Sequence, residues 1–218
     1  MFSYLTFNTV SEALCFFVAL ICLLSDKEPI WRSLIIFLFI TTVCETGGIF
    51  FAIKYHDNQW IYNIFIVFEA FFNLAVFRYL LKKQHGNVLL TVLGAACFVG
   101  SYISALMRHG FFTYSNNTFT IMSVMYGIFA LYFFYLLVKN DAYIDLKYSA
   151  EFWWATGTLF FYFGTTPCNI FDKHLEEILI TPTRNLSYFI FAALDVILYG
   201  CWSYSFICRR WEAKRLRP

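Results

Sequence analysis

Seven long, predominantly apolar runs dominate this chain and leave it few ways to fold. They cover residues 7–24, 33–53, 60–81, 88–107, 118–138, 152–170 and 186–208. At about 1.5 Å per helical residue, such runs match a hydrocarbon layer roughly 30 Å thick. Apolar side chains follow one another without alternation, as in 34–40 and 127–138. A β-barrel, built from alternating segments of about ten residues, is therefore excluded. With 60 % AVILMFWYC, 28 phenylalanines and only 14 % charged residues, the chain cannot clothe a soluble surface in polar groups. That excludes a secreted disulfide scaffold, a disordered chain and a nucleic-acid-binding domain. The predicted fold class is all-α, a polytopic integral membrane bundle of seven transmembrane helices.

Basic residues set the expected orientation, because short cytoplasmic loops retain Lys and Arg. With the N-terminus outside, the inner segments carry Lys27, Arg32, Arg78, Lys82, Lys83, Lys139, Lys147, Arg209, Arg210, Lys214, Arg215 and Arg217. The outer ones carry only Lys54, Arg108, Lys173 and Arg184. This imbalance predicts N-out, C-in, in an inner (cytoplasmic) membrane. Residues 1–7 lack a basic segment and Glu12 interrupts the first run, so that run is read as a retained span and not a cleaved signal peptide. Trp31, Trp60, Trp153, Trp154 and Trp211 fall near span ends, as an aromatic belt requires. The seven cysteines lie within spans and form no CxxC pair, so packing residues are expected. The organisation is a transmembrane domain, 1–208, and a basic cytoplasmic tail, 209–218, suited to anionic lipid.

Intramembrane acids are costly and mark sites. Glu45, Glu69 and Asp195 share a similar depth on spans two, three and seven, with no basic residue nearby. Glu12 falls in the outer third of span one and is expected at the interface. Tyr62, Glu69 and Asn73 stand at i, i+7 and i+11 on one helical face, and Asp195, Tyr199 and Trp202 at i, i+4 and i+7 on another. Gly47 and Gly48 follow Glu45 and permit close helix approach. In span six, Pro167, two residues before Asn169, frees the backbone carbonyl four residues upstream of itself. Two readings follow: protonated carboxyls bonding helices together, or a polar cavity for a cationic ligand, a metal ion or protons. The candidate ligand-binding residues are Glu45, Tyr62, Asn63, Glu69, Asn73, Asn169, Asp195 and Tyr199.

His56, His109 and His174 occur one to each outer loop with Asp57, Asp172, Glu176 and Glu177 beside them, a donor set of zinc type. No HExxH or HxxxH spacing places two of them on one helix. No lysine in span seven rules out a retinal Schiff base there, and neither a GxSxG elbow nor a P-loop is present. Two glycosylation sequons, at Asn116 and Asn185, fall outside in this topology. No catalytic residue and no cofactor is assigned.

The segment Asn58-Gln-Trp-Ile-Tyr-Asn-Ile-Phe65, followed by Glu69, resembles the opening of the third span in a group of seven-transmembrane-helix proteins of Bacteroidota. Glu45 matches an acid late in their second span. Phe152-Trp-Trp-Ala-Thr-Gly157, Tyr162–Gly164 and Asn169 match their sixth. The resemblance implies a membrane-embedded sensory or accessory component working beside a partner such as a histidine kinase. The chain carries no output domain of its own.

The function expected is a membrane sensor with an acid-lined intramembrane cavity, signalling to or assembling with a partner protein. The alternative is a proton- or cation-coupled small-molecule transporter, for which a homodimer would supply the missing repeat. A second alternative is a membrane-embedded enzyme. Membrane lipid and a membrane or cytoplasmic signalling protein are the expected partners, and nucleic acid is not.

Overall fold

A computed structural model describes residues 7–140, 145–181 and 184–215, apart from the side chains of His109 and Lys173. The elements run α1 (Phe7–Leu23), α2 (Pro29–Tyr55), α3 (Gln59–Lys83), α4 (Leu89–His109), α5 (Asn116–Lys139), α6 (Ala150–Ile170), the short α7 (Asp172–Glu177), β1 (Leu179–Thr181), β2 (Arg184–Asn185) and α8 (Leu186–Arg215). The two strands pair antiparallel in a small ribbon ahead of α8. Everything else of length is helical, in keeping with the all-α class.

Five helices are long and apolar enough to cross a membrane: α2, α3, α4, α5 and α8. The other two predicted spans are helices of a different character. α1 is apolar but has 17 residues, about 26 Å. α6 has 21 residues, but Thr156, Thr158, Thr165, Thr166 and Asn169 dilute its apolarity. Its threonine hydroxyls bond its own carbonyls, Thr156 to Phe152 at 2.7 Å and Thr158 to Trp154 at 2.9 Å. Such back-bonding lets a polar helix sit inside a bundle.

Local chemistry starts the helices where they start. Pro29 opens α2, where a missing N–H costs nothing. Ser115 and Ser149 cap α5 and α6, each accepting a backbone N–H at 3.3 Å, from Thr118 and Phe152. α2 ends at His56, in the left-handed region at φ 58°.

Short connections make successive helices antiparallel. α1 begins at what is here termed the upper end, where the α2–α3, α4–α5 and α6–α8 connections also lie. The helices form a closed circuit: α1 packs on α2 and α8, α8 on α6, α6 on α5, and α5 on α4, with α3 touching α2, α4 and α5. At the centre, Phe77 meets Tyr126, Phe129 and Trp154, and the Trp154 and Trp202 rings stack with centroids 5.6 Å apart. Outside, Leu14, Phe17, Ile21, Phe39, Leu131 and Phe163 are each more than half exposed, an apolar jacket that water would not tolerate.

The helix that holds the seventh predicted span runs past 208 and continues to Arg215. Two expectations are corrected. Arg209 is not free for lipid: its guanidinium donates to both oxygens of buried Asp26 at 2.8 and 3.1 Å. Nor do all the tryptophans form a belt, since Trp31 (2 % exposed) and Trp154 (0 %) are core residues. A tryptophan near a span end is buried when its face turns toward a neighbouring helix, which linear position does not reveal. The seven cysteines are free.

Candidate functional site

Helical spacing brings residues from six helices to a single space near the upper end. α2 contributes Phe37, Thr41 and Glu45, one turn apart; α3 contributes Tyr62, Phe65, Ile66 and Glu69; α8 contributes Asp195, Leu198, Tyr199 and Trp202. Asn8 and Glu12 of α1 and Phe161 and Tyr162 of α6 close the sides. Tyr114, from the α4–α5 connection, and Phe119 of α5 complete the wall. The cavity measures about 190 Å³. Glu45, Glu69 and Asp195 lie nine or ten residues from the upper ends of their helices, about 14–15 Å along each axis.

Four carboxyls line the space and, among the described residues, no lysine, arginine or histidine does. Two are held by phenols. Tyr62 donates to Glu45 Oε2 at 3.1 Å, and Tyr162 donates to Glu69 Oε1 at 2.5 Å. Gly48 makes the first contact possible. A Cβ there would stand 2.6 Å from the Tyr62 hydroxyl, whereas at Gly47 it would meet nothing. Behind Tyr162, the buried Asn73 amide donates to its hydroxyl at 3.1 Å, so Asn73 steadies the wall without reaching the cavity. The other two carboxyls are less provided for. Glu12 is 3 % exposed and its Oε1 has no hydrogen-bond partner; Asn8 Oδ1 beside it has none either. The charged groups that act on Asp195 are Glu45, Glu12 and Glu69, all of its own sign.

Glu45, Tyr62, Glu69, Asp195 and Tyr199, five of the sequence candidates, line the cavity. Asn63 and Asn169 do not. Asn63 donates to the carbonyls of Phe111 and Thr113 at 2.6 and 3.1 Å, clamping the α4–α5 connection to α3. Gln59 adds to that clamp by accepting the Tyr114 N–H at 2.9 Å. Together they hold Tyr114 over the cavity, where burial, with Glu69 and Tyr62 nearby, pushes its phenol above the ordinary value. Asn169 is half-buried, with its amide nitrogen unpartnered away from the cavity lining.

Glu12 is a correction. It is a buried wall residue and not an interfacial one, because Glu12, Cys15, Ala19 and Leu23 form one inward face of α1. Its spacing with Cys15 and Ala19 was the available signal. Tyr162 and Tyr114 were not singled out either. Tyr162 sits on the inward face of α6 with Thr158 and Thr165, but a connection residue such as Tyr114 leaves no periodic trace. As for the candidate histidines, among the described residues no group of three or more His, Cys, Asp and Glu is placed to hold a metal ion. The His109 side chain lies outside the described residues, His56 terminates α2 and His174 is exposed on α7. Set beside known proteins, the chain matches no family, no curated protein and no solved structure.

Proposed function

We propose that this chain is a seven-helix inner-membrane sensor that binds a small cationic ligand from outside and reports its occupancy to a partner on the inner face. In this reading α1 and α6 span the membrane with the five long apolar helices, and the upper end is external. The observation that carries it is the convergence of four carboxyls from α1, α2, α3 and α8 on one cavity without a basic residue. Intramembrane acids so placed suit ligand or ion binding better than packing. α8 supplies the output path. It bears Asp195, Tyr199 and Trp202 at the cavity, and thirty residues of one helix carry any shift down to Arg209 and Lys214. The resemblance to Bacteroidota seven-span proteins adds a histidine kinase as a candidate partner.

A transporter needs the cavity to open downward as well. Pro167, one to two turns from cavity-lining Phe161 and Tyr162, favours that second reading, since inside α6 it lacks the N–H that would bond the preceding turn. Against it, Phe77, Trp154 and Trp202 fill the space beneath. Native mass spectrometry in mild detergent tests the binding step. A small molecule should be retained by the parent and lost from E45Q/E69Q/D195N. Identical spectra from the two proteins overturn the proposal. Ion-driven uptake of that molecule into proteoliposomes would replace the sensor with the transporter.

A further inference from the structure

Resting on the reading of the cavity as a binding site, we infer that its ligand is a small primary amine, bound as an ammonium ion between Glu12 of α1 and Asp195 of α8 with its apolar portion against the aromatic floor. Four features of the cavity specify this class. First, Glu12 is buried with Oε1 unpartnered, although it lines the cavity, and the adjacent Asn8 Oδ1 is also unpartnered. A buried acceptor without a donor is a defect that a bound N–H repairs. Glu45 and Glu69 already accept from Tyr62 and Tyr162. Among the described residues, the buried acceptors of the cavity left without a donor, Glu12 Oε1 and Asn8 Oδ1, both stand on α1, facing a space that Asp195 of α8 also lines.

Second, the acceptors offered to a ligand stand on two walls, Asn8 and Glu12 on α1 and Asp195 on α8. An ammonium group presents three diverging N–H donors and no acceptor, which suits oxygens on separate walls. A guanidinium presents a planar fork that suits the two oxygens of one carboxylate. A quaternary ammonium has no N–H for Glu12 at all. Third, no set of three metal-binding side chains is gathered among the described residues, so a bare divalent ion has no cage here. Fourth, most of the rest of the lining is aromatic: Phe37, Tyr199 and Trp202 form the floor, beneath Phe65, Phe119 and Phe161. Ring faces attract cations and accept apolar groups at once. A volume of about 190 Å³ exceeds only modestly the roughly 150 Å³ that encloses one benzene ring, so the ligand is ring-sized.

The test uses the full chain in lipid nanodiscs, read by isothermal titration calorimetry and by tryptophan fluorescence, since Trp202 lines the cavity. The probes are 2-phenylethylamine, its neutral analogue 2-phenylethanol, phenyltrimethylammonium and magnesium chloride. Saturable binding of the amine alone is expected, with E12Q and D195N each weakening it by about tenfold or more. Equal binding of amine and alcohol overturns the inference, and that comparison needs no variant to fold. Binding of phenyltrimethylammonium or magnesium without the amine overturns the ligand class while leaving the cavity as a binding site. If no probe binds and the native mass spectrum also shows nothing retained, the binding-site reading falls with it.

Discussion

Asn63 shows how one buried side chain shapes a site it does not line. Both of its amide hydrogens are committed to carbonyls of the α4–α5 connection, and its own carbonyl accepts from Tyr102 at 3.1 Å. Asn63→Ala strands those acceptors, for a cost of about 1–3 kcal/mol. Amide hydrogen exchange at residues 110–115 should then rise while exchange in α8 stays as it was. Unchanged protection of that connection would show that Asn63 is not the clamp. The sequence made part of this chemistry legible. Tyr62, Glu69 and Asn73 share a face by spacing alone, and the first two do meet the cavity while Asn73 bonds its wall. Asn63 looks like its neighbour Tyr62 in the string, yet one residue is a turn of about 100° on the helix, and its partners are loop carbonyls that no periodicity announces. Glu12 was misjudged for a related reason. Depth was counted along the span, whereas burial depends on which face turns inward.

At the level of the helix, boundaries drawn from hydropathy agree with the structure wherever a span ends at a turn, and fall short wherever a helix continues. α2 begins at Pro29, four residues before the apolar run, and α8 continues seven residues past its own. Hydropathy registers apolarity and not the helix, so Arg32 and Arg209 read as lying beyond the ends although both backbones are helical. Close packing is the other hidden property. α6 meets α8 at Gly157, where an added Cβ would stand 2.8 Å from the Cys201 Cβ and 3.1 Å from the Leu198 carbonyl oxygen. Gly157→Ala should therefore destabilise the protein by roughly 1–3 kcal/mol. At Gly100 nothing lies within 4 Å, and Gly100→Ala should instead stabilise by about 0.5–1 kcal/mol through helix propensity. Thermal melts of both variants in detergent decide it; similar shifts for the pair would show that the α6–α8 approach is looser than drawn.

For the molecule as a whole, the asymmetry of basic residues and the placement of the cavity make one joint claim about sidedness. Phe112→Cys, in the exposed α4–α5 connection, should react with a membrane-impermeant maleimide on intact cells. Lys214→Cys, exposed in the last turn of α8, should react only after the cells are opened. The reverse pattern would place the cavity on the cytoplasmic side and reverse the direction of sensing. The closed circuit of helices carries a further consequence, in time and not in space. α1 and α8 are parallel neighbours clasped at the lower end by Asp26 and Arg209, and between them they supply Glu12 and Asp195. A ribosome adding about 5–20 residues per second delivers the second of these acids roughly ten to forty seconds after the first. Through that interval α1, α2 and α3 hold three acids with one wall missing. Biogenesis therefore completes the pocket last, and a nascent chain interrupted before α8 has no closed cavity in which the proposed ligand could be held.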